Sequence, residues 1–326
     1  MLILILNINN NMKKKLKILF FGTSKFALYH LKTLIKNKYN IVGIFTKLDK
    51  KFNKKYYSKI KIINKKYNIP IYSPKSIKEL NNIKKINYLN IDLIITVSYG
   101  LIIPKKILKI PRISSINIHA SLLPKWRGAA PIQRSIQYGD NKSGISIIQM
   151  NNKLDEGDII YKKEYKIKKE DNSESLTKKL MKLGSNSMLK IIKKIKNGKI
   201  TFIKQNNSNA TYAYKIKKKE AKINWNKSSK EIERKIRAFN PWPVCYFKLN
   251  KIKIKLWQAK ILEKKNTQNI FKKGQIISID KNGIQIILHD GILNLEIIQI
   301  PGKKKMKIKH LILSNKKWFK IGDILN

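Results

Sequence analysis

The chain has 326 residues, enough for two domains of ordinary size. It carries 72 Lys+Arg against 19 Asp+Glu, a formal net charge of +53, so its default partner is a polyanion, with nucleic acid first. The single cysteine, Cys245, excludes an internal disulfide. Four histidines without a His-Glu-x-x-His pattern suggest no metal site, and no apolar run reaches the ~18 residues of a membrane-spanning helix.

In chain order, Met1 to Leu6 is apolar but short. It lacks the basic start and small-residue cleavage site of a signal peptide, so residues 1–12 read as an N-terminal extension. Leu16 to Gly22 reads as a buried strand ending in a turn, and Thr23 or Ser24 caps a helix from Lys25 to Lys36. Asn40 to Thr46 and Leu93 to Val97 are further strands, the latter closing at Ser98-Tyr99-Gly100. Strands alternating with helical segments predict an α/β, doubly wound (Rossmann-like) parallel sheet, which binds ligands at the carboxyl ends of its strands. Gly22-Thr-Ser-Lys-Phe26 offers one glycine where a dinucleotide fingerprint needs three.

The densest chemistry lies in Asn117-Ile-His-Ala-Ser-Leu-Leu-Pro124-Lys-Trp-Arg-Gly128-Ala-Ala-Pro131-Ile-Gln133. Ser114 to Ala120 reads as a strand. Its period of two puts Asn117 and His119 on one face and Ile116 and Ile118 on the other. An amide donor beside an imidazole suits acyl transfer: one stabilises a developing oxyanion and the other moves a proton. Gly144 to Met150 is a strand pattern that leads into a turn holding Asp155, Glu156 and Asp158. The residue types alone mark these three equally as turn formers.

Downstream, Ser173 to Gly198 is a long amphipathic helix pattern. Asn206 to Thr211 is polar and loop-like, and Lys230 to Phe239 is helical. Short strand patterns follow at Lys253–Trp257, Gly274–Ile279, Gly283–Leu288 and Leu293–Ile298, separated by turns as in a small barrel.

The block from Asn117 to Gln133, with Val97 to Pro104, Arg237-Ala-Phe-Asn-Pro-Trp-Pro243 and Gly302-Lys-Lys-Lys-Met306, resembles the methionyl-tRNA formyltransferases over about residues 14 to 326. The resemblance implies a formyltransferase domain at 13–205, a linker at 206–220 and a small OB-like β-barrel at 221–326 that binds tRNA. It implies that Asp155 joins Asn117 and His119 in catalysis. It further implies that Ser121, Leu122, Leu123, Pro124, Tyr99 and Gly100 contact the folate. The substrates would be 10-formyltetrahydrofolate and initiator methionyl-tRNA, handled in the cytoplasm by a monomer with no metal and no membrane. Lys50, Lys51, Lys54, Lys55, Arg127 and Arg237 are the expected tRNA contacts. The stretch from Asp49 to Lys61 departs from the family's glycine- and proline-containing basic loop, keeping its charge without its turn residues. Ile, Lys and Asn have AT-rich codons, so part of the lysine excess is surface filler. Two other readings are a formyltransferase acting on a small amine and a non-catalytic RNA-binding relative. The full-length match and the intact Asn/His/Asp set argue against both.

Overall fold

The computed structural model describes residues 15–47, 54–74, 76–77, 84, 86–262, 271–313 and 318–326, with the side chains of 54, 55 and 57 excepted. The extension expected at 1–12 lies outside them, as do Lys50 and Lys51. The chain divides into two compact units. The first runs to residue 131 and adds 142–166 and 177–214. The second comprises 132–141, 167–176 and 215–326.

The first unit is built on one mixed sheet. Its strands are β1 (Lys17–Gly22), β2 (Asn40–Phe45), β3 (Ile71–Tyr72), β4 (Leu93–Val97), β5 (Ser114–His119), β7 (Lys142–Gln149) and β8 (Ile159–Lys166), in the order β3-β2-β1-β4-β5-β7-β8. Pairing is parallel from β3 to β5 and antiparallel from β5 through β7 to β8. The parallel strands are near-continuous apolar runs because both faces are covered; every residue of β4 is buried. Full burial of one such Ile or Leu contributes about 1.5–3 kcal/mol. Two short strands, β6 (Arg127–Gly128) and β9 (Tyr212–Ala213), pair separately and in parallel.

Helix α1 (Lys25–Lys36) starts where Ser24 accepts a hydrogen bond from the Ala27 N–H at 3.2 Å. Of the stretch from 49 to 61 compared with the family's basic loop, residues 54–61 belong to helix α2 (Lys54–Tyr67). Tyr56, Ile60 and Ile63 recur at helical spacing and are buried at 8%, 0% and 4% exposure. A helical core stripe therefore runs through the lysines. Helix α3 (Lys105–Leu108) is a single turn.

The second unit holds α4 (Pro131–Tyr138), of which Ile132 onward belongs to it, the first turn of α5 (Ser173–Lys196), and α6 (Ser229–Ala238). A capping box of Ser228 and Glu231 starts α6. Its antiparallel sheet runs β10 (Cys245–Leu249), β11 (Ile252–Leu262), β14 (Ile292–Gln299), β13 (Gly283–Ile287) and β12 (Ile276–Asp280), with β15 (Met306–Lys307) on β14 and α7 (Ile308–Ile312) after it. Residues 322–326 lace its two edges together. Asn326 exchanges backbone hydrogen bonds with Lys248 of β10, while Gly322 and Asp323 exchange them with Ile276 of β12. The sheet thus curls into a barrel-like ring. Ala221 to Trp225 makes only an isolated bridge, Lys222 with Tyr246, and no strand. Among the described residues no helix is long and apolar enough to cross a membrane.

Candidate active site

Strand β5 lies inside the mixed sheet, parallel to β4 and antiparallel to β7, and its alternation lifts Asn117 and His119 to one face. Ile116 and Ile118 are buried at 0% and 2% exposure. Both polar side chains converge on Asp155, which sits in the loop joining β7 to β8. Asn117 Nδ2 donates to Asp155 Oδ1 at 3.1 Å, and His119 Nδ1 lies 3.6 Å from Asp155 Oδ2. Oδ2 also accepts the Gly128 N–H at 2.9 Å. Gly128 has φ +113°, a region glycine enters without strain.

His119 is oriented from its other side. Its Nε2 is 2.8 Å from the Trp126 carbonyl oxygen. A carbonyl only accepts, so this contact fixes a proton on Nε2 and leaves Nδ1 as the nitrogen that faces Asp155. The Asn117 amide has two hydrogens and commits one to Asp155, leaving the second for a ligand oxygen.

The Asp155 backbone is held as firmly as its carboxylate. Asp155 has φ +53°, an uncommon conformation for a non-glycine residue. Gln205 Nε2 donates to the Asp155 carbonyl at 2.8 Å and to the Gly157 carbonyl at 2.7 Å. At Gly157 a Cβ would fall 1.6 Å from the Gln149 carbonyl oxygen, so the loop closes this tightly only with glycine. Gln205 Oε1 accepts from Arg127 Nε at 3.2 Å and Nη2 at 2.8 Å. Arg127 Nη2 also donates to Asn207 Oδ1 at 2.8 Å, and Nη1 lies 3.4 Å from Glu156 Oε1.

This corrects the expectation for Arg127, whose guanidinium is no surface contact for tRNA. It is 1% exposed, and its charge is matched by the carboxylate and amides around it. Arg237 is half-buried; its Nε bonds Glu233 Oε1 at 2.5 Å and its Nη1 donates to the Asp171 carbonyl at 2.8 Å. Lys54 and Lys55 open α2, with side chains outside the described residues.

The residues expected at the folate divide by exposure. Ser121 is buried and its hydroxyl donates to the Lys125 carbonyl at 2.6 Å, closing the turn. Leu123 packs with Ile148 and Ile159. Its N–H donates to Ser146 Oγ at 2.9 Å and its carbonyl accepts from Lys162 Nζ at 3.0 Å. Leu122 and Pro124 are half-buried and Gly100 is exposed. Tyr99 departs from the expectation of a pocket-lining ring. Its ring is 2% exposed within the core, edge-on to Phe21 at 5.1 Å, and burial pushes its phenol up to about 12. What Tyr99 presents is its backbone: its carbonyl accepts from Thr23 Oγ1 at 3.0 Å.

Sequence reasoning missed Gln205, the Trp126 carbonyl and the Gly128 N–H. Only Gly128 carried a signal, as a glycine beside the strand end. Among the described residues no three His, Cys, Asp or Glu side chains gather as a metal site. The cluster is suited to acyl transfer: a hydrogen-bond donor, a proton carrier and a carboxylate meet at one strand end.

Comparison with known proteins agrees with this chemistry. Residues 14–192 match the model of the family described as formyl transferase, and residues 215–316 match formyl transferase, C-terminal domain. The chain is 44% identical over 315 residues to methionyl-tRNA formyltransferase of Buchnera aphidicola subsp. Acyrthosiphon pisum (strain Tuc7), covering 96% of this chain and 100% of that protein. It is 48% identical over 319 residues to the protein of the same name from Blochmanniella floridana, covering 96% and 98%. Among solved structures it is similar to WlaRD, a sugar 3N-formyl transferase crystallised with dTDP and 5-N-formyl-THF. The TM-score is 0.65 at 23% identity, over 89% of this chain and 100% of that one. It is also similar to HypX from Aquifex aeolicus in complex with tetrahydrofolic acid, with a TM-score of 0.63 at 14% identity over 95% of this chain. This chain spans about half the length of HypX (50%). A two-part match to formyl transferase models, with near-complete coverage at 44–48% identity, places this chain in the methionyl-tRNA formyltransferase family.

Proposed function

We propose that this enzyme transfers the formyl group of 10-formyltetrahydrofolate to the α-amine of methionine carried by initiator tRNA. The observation that carries the reading is the Asp155 carboxylate, which gathers Asn117, His119 and the Gly128 N–H at one strand end. The residues present fit a formyl donor. The second Asn117 amide hydrogen is available for a formyl oxygen, and the 121–124 loop beside it has its backbone pinned by Ser146 and Lys162.

In the transfer, a bond forms between the amine nitrogen and the formyl carbon, and the bond from that carbon to the folate nitrogen breaks. Negative charge develops on the formyl oxygen, where the Asn117 amide stabilises it. The attacking amine must lose a proton and the departing nitrogen must gain one. His119 Nδ1, paired with Asp155, is the group placed to carry it. Holding the amine and donor together supplies much of the remaining acceleration.

Asn117, His119 and Asp155 are the proposed catalytic residues. The 121–124 loop with Gly100 forms the proposed folate side, and the barrel-like sheet beyond residue 221 holds the body of the tRNA. The lysines at 50, 51, 54 and 55 supply phosphate contacts. The enzyme acts in the cytoplasm as a monomer. The family's role in translation supports this setting. Incubation with charged initiator tRNA and 10-formyltetrahydrofolate, followed by mass measurement of the aminoacyl product, tests the reading. A formyl group's mass gain on methionine is the expected result; no gain overturns it.

A further inference from the structure

Beside the catalytic cluster, β9 and the residue that follows it turn two aromatic rings to solvent. Tyr214 follows the strand directly, and exposure alternates across the three residues, with Tyr212 and Tyr214 outward and Ala213 inward. Ala213 is fully buried, whereas Tyr212 and Tyr214 are 43% and 74% exposed. The two rings are inclined by 23° with centroids 6.3 Å apart, so they present near-parallel faces. Their place is tied to the chemistry through backbone register. Tyr212 pairs with Arg127 and Ala213 with Gly128, the residue whose N–H holds the Asp155 carboxylate. Paired strands lie about 4.8 Å apart, so the tyrosines stand only a few residues' width from the proposed transfer point. The Trp126 N–H is bonded to Thr211 Oγ1 at 2.9 Å, and the Trp126 carbonyl orients His119. Exposed Lys125 and Lys204 lie in the same unit and near the same elements in sequence.

The inference rests on the proposed methionyl-tRNA substrate. The reacting amine is attached to the last nucleotide of that RNA, so the unpaired nucleotides just before it must cross the surface next to Asp155. Unpaired bases expose their π-faces, and aromatic side chains stack on them with little regard to sequence. The geometry points to Tyr212 and Tyr214 as a stacking platform for the unpaired bases at the 3′ end of the RNA substrate. The pair sets where the chain of nucleotides enters the cleft, independently of the phosphate contacts made by lysines.

Stacking is separated from mere apolar contact by comparing Tyr212→Leu/Tyr214→Leu with Tyr212→Phe/Tyr214→Phe. Each is titrated with uncharged initiator tRNA and with the same tRNA lacking its unpaired 3′ nucleotides, at fixed salt. The double Leu variant is expected to bind intact tRNA roughly tenfold or more weaker than the parent. It should bind the shortened tRNA as the parent does, and the double Phe variant should match the parent on both. Parent-like binding of intact tRNA by the double Leu variant overturns the platform, as does an equal loss on the two RNAs. Failure of the parent protein to formylate methionyl-tRNA is a different result, and it overturns the substrate reading itself.

Discussion

Two histidines buried in the same unit show what separates a site from a core. His30 of α1 is 0% exposed. Its Nδ1 bonds the Phe26 carbonyl at 2.8 Å, its ring stacks on Phe26 at 4.7 Å, and its Nε2 has no hydrogen-bond partner among the described residues. Burial pushes its pKa down to about 4, so it serves as a neutral packing group. His119 is 6% exposed, yet both of its nitrogens meet oxygen: the Trp126 carbonyl on one side and the Asp155 carboxylate on the other. Burial is common to both residues. The second oxygen, on a group that can exchange a proton, is what makes one of them chemically useful.

The contrast breaks most sharply in turnover. His119→Ala and Asp155→Ala should each lower kcat roughly 10²–10⁴-fold, the usual contribution of a general acid–base group. His30→Leu should leave kcat within a few-fold of the parent. Steady-state formylation assays on folded protein decide this, and near-parental kcat in both the His119 and Asp155 variants removes the pair from the mechanism.

The next effect concerns stability. The folded pKa of His30 lies below its unfolded value of 6.5, so the unfolded chain takes up the proton first. The neutral residue's contribution is complete above pH 6.5 and is lost as pH falls toward 4. By pH 5 the loss amounts to about 2 kcal/mol. Urea unfolding at pH 7 and pH 5 should show the decline in the parent and a shallower one in His30→Leu. Equal declines would show that His30 gains no proton on unfolding.

The smallest effect tests how His119 acquires its partner. Gln205→Met keeps the side-chain length and removes the donors to the Asp155 and Gly157 carbonyls. A hydrogen bond of about 1–1.5 kcal/mol corresponds to roughly a tenfold fall in kcat, with the KM for formyl-folate little changed. An unchanged kcat would mean that the loop holds Asp155 without Gln205.

Strands β1, β2, β4 and β5 and helix α1 were readable in the sequence because the signals there are local: apolar runs, a Ser24 cap and a glycine turn. The shared face of Asn117 and His119 was equally readable, since a strand's period of two needs no tertiary knowledge. Helix α2 was hidden because its lysines drown a three-residue stripe of Tyr56, Ile60 and Ile63. Strand β8 was hidden because its charged residues mask the alternation. The pairing of β6 with β9 joins two-residue strands far apart in sequence, and no local pattern encodes it. Arg127 misled for a related reason. An arginine in a basic chain reads as surface until Gln205, Asn207 and Glu156 are seen around it. Gln205 has no sequence signature, because its role depends wholly on which carbonyls the fold brings to it.

The second unit draws its members from three separated stretches, and this sets a timetable for its assembly. Ile132 and Ile136 of α4 are buried at 7% and 1% exposure, and Arg134 pairs with Glu220 at 2.9 Å. Arg234 of α6 packs its guanidinium against Gly139, where a Cβ would lie 2.2 Å from Cζ. On a ribosome adding about 5–20 residues per second, α4 is made on the order of ten seconds before those partners exist. During that interval Arg134 lacks Glu220 and Gly139 lacks the Arg234 guanidinium. A nascent chain halted between α5 and α6 should therefore be markedly more sensitive to protease within residues 132–141 than the finished protein. A slow stretch of codons there would lengthen the time during which a chaperone is needed.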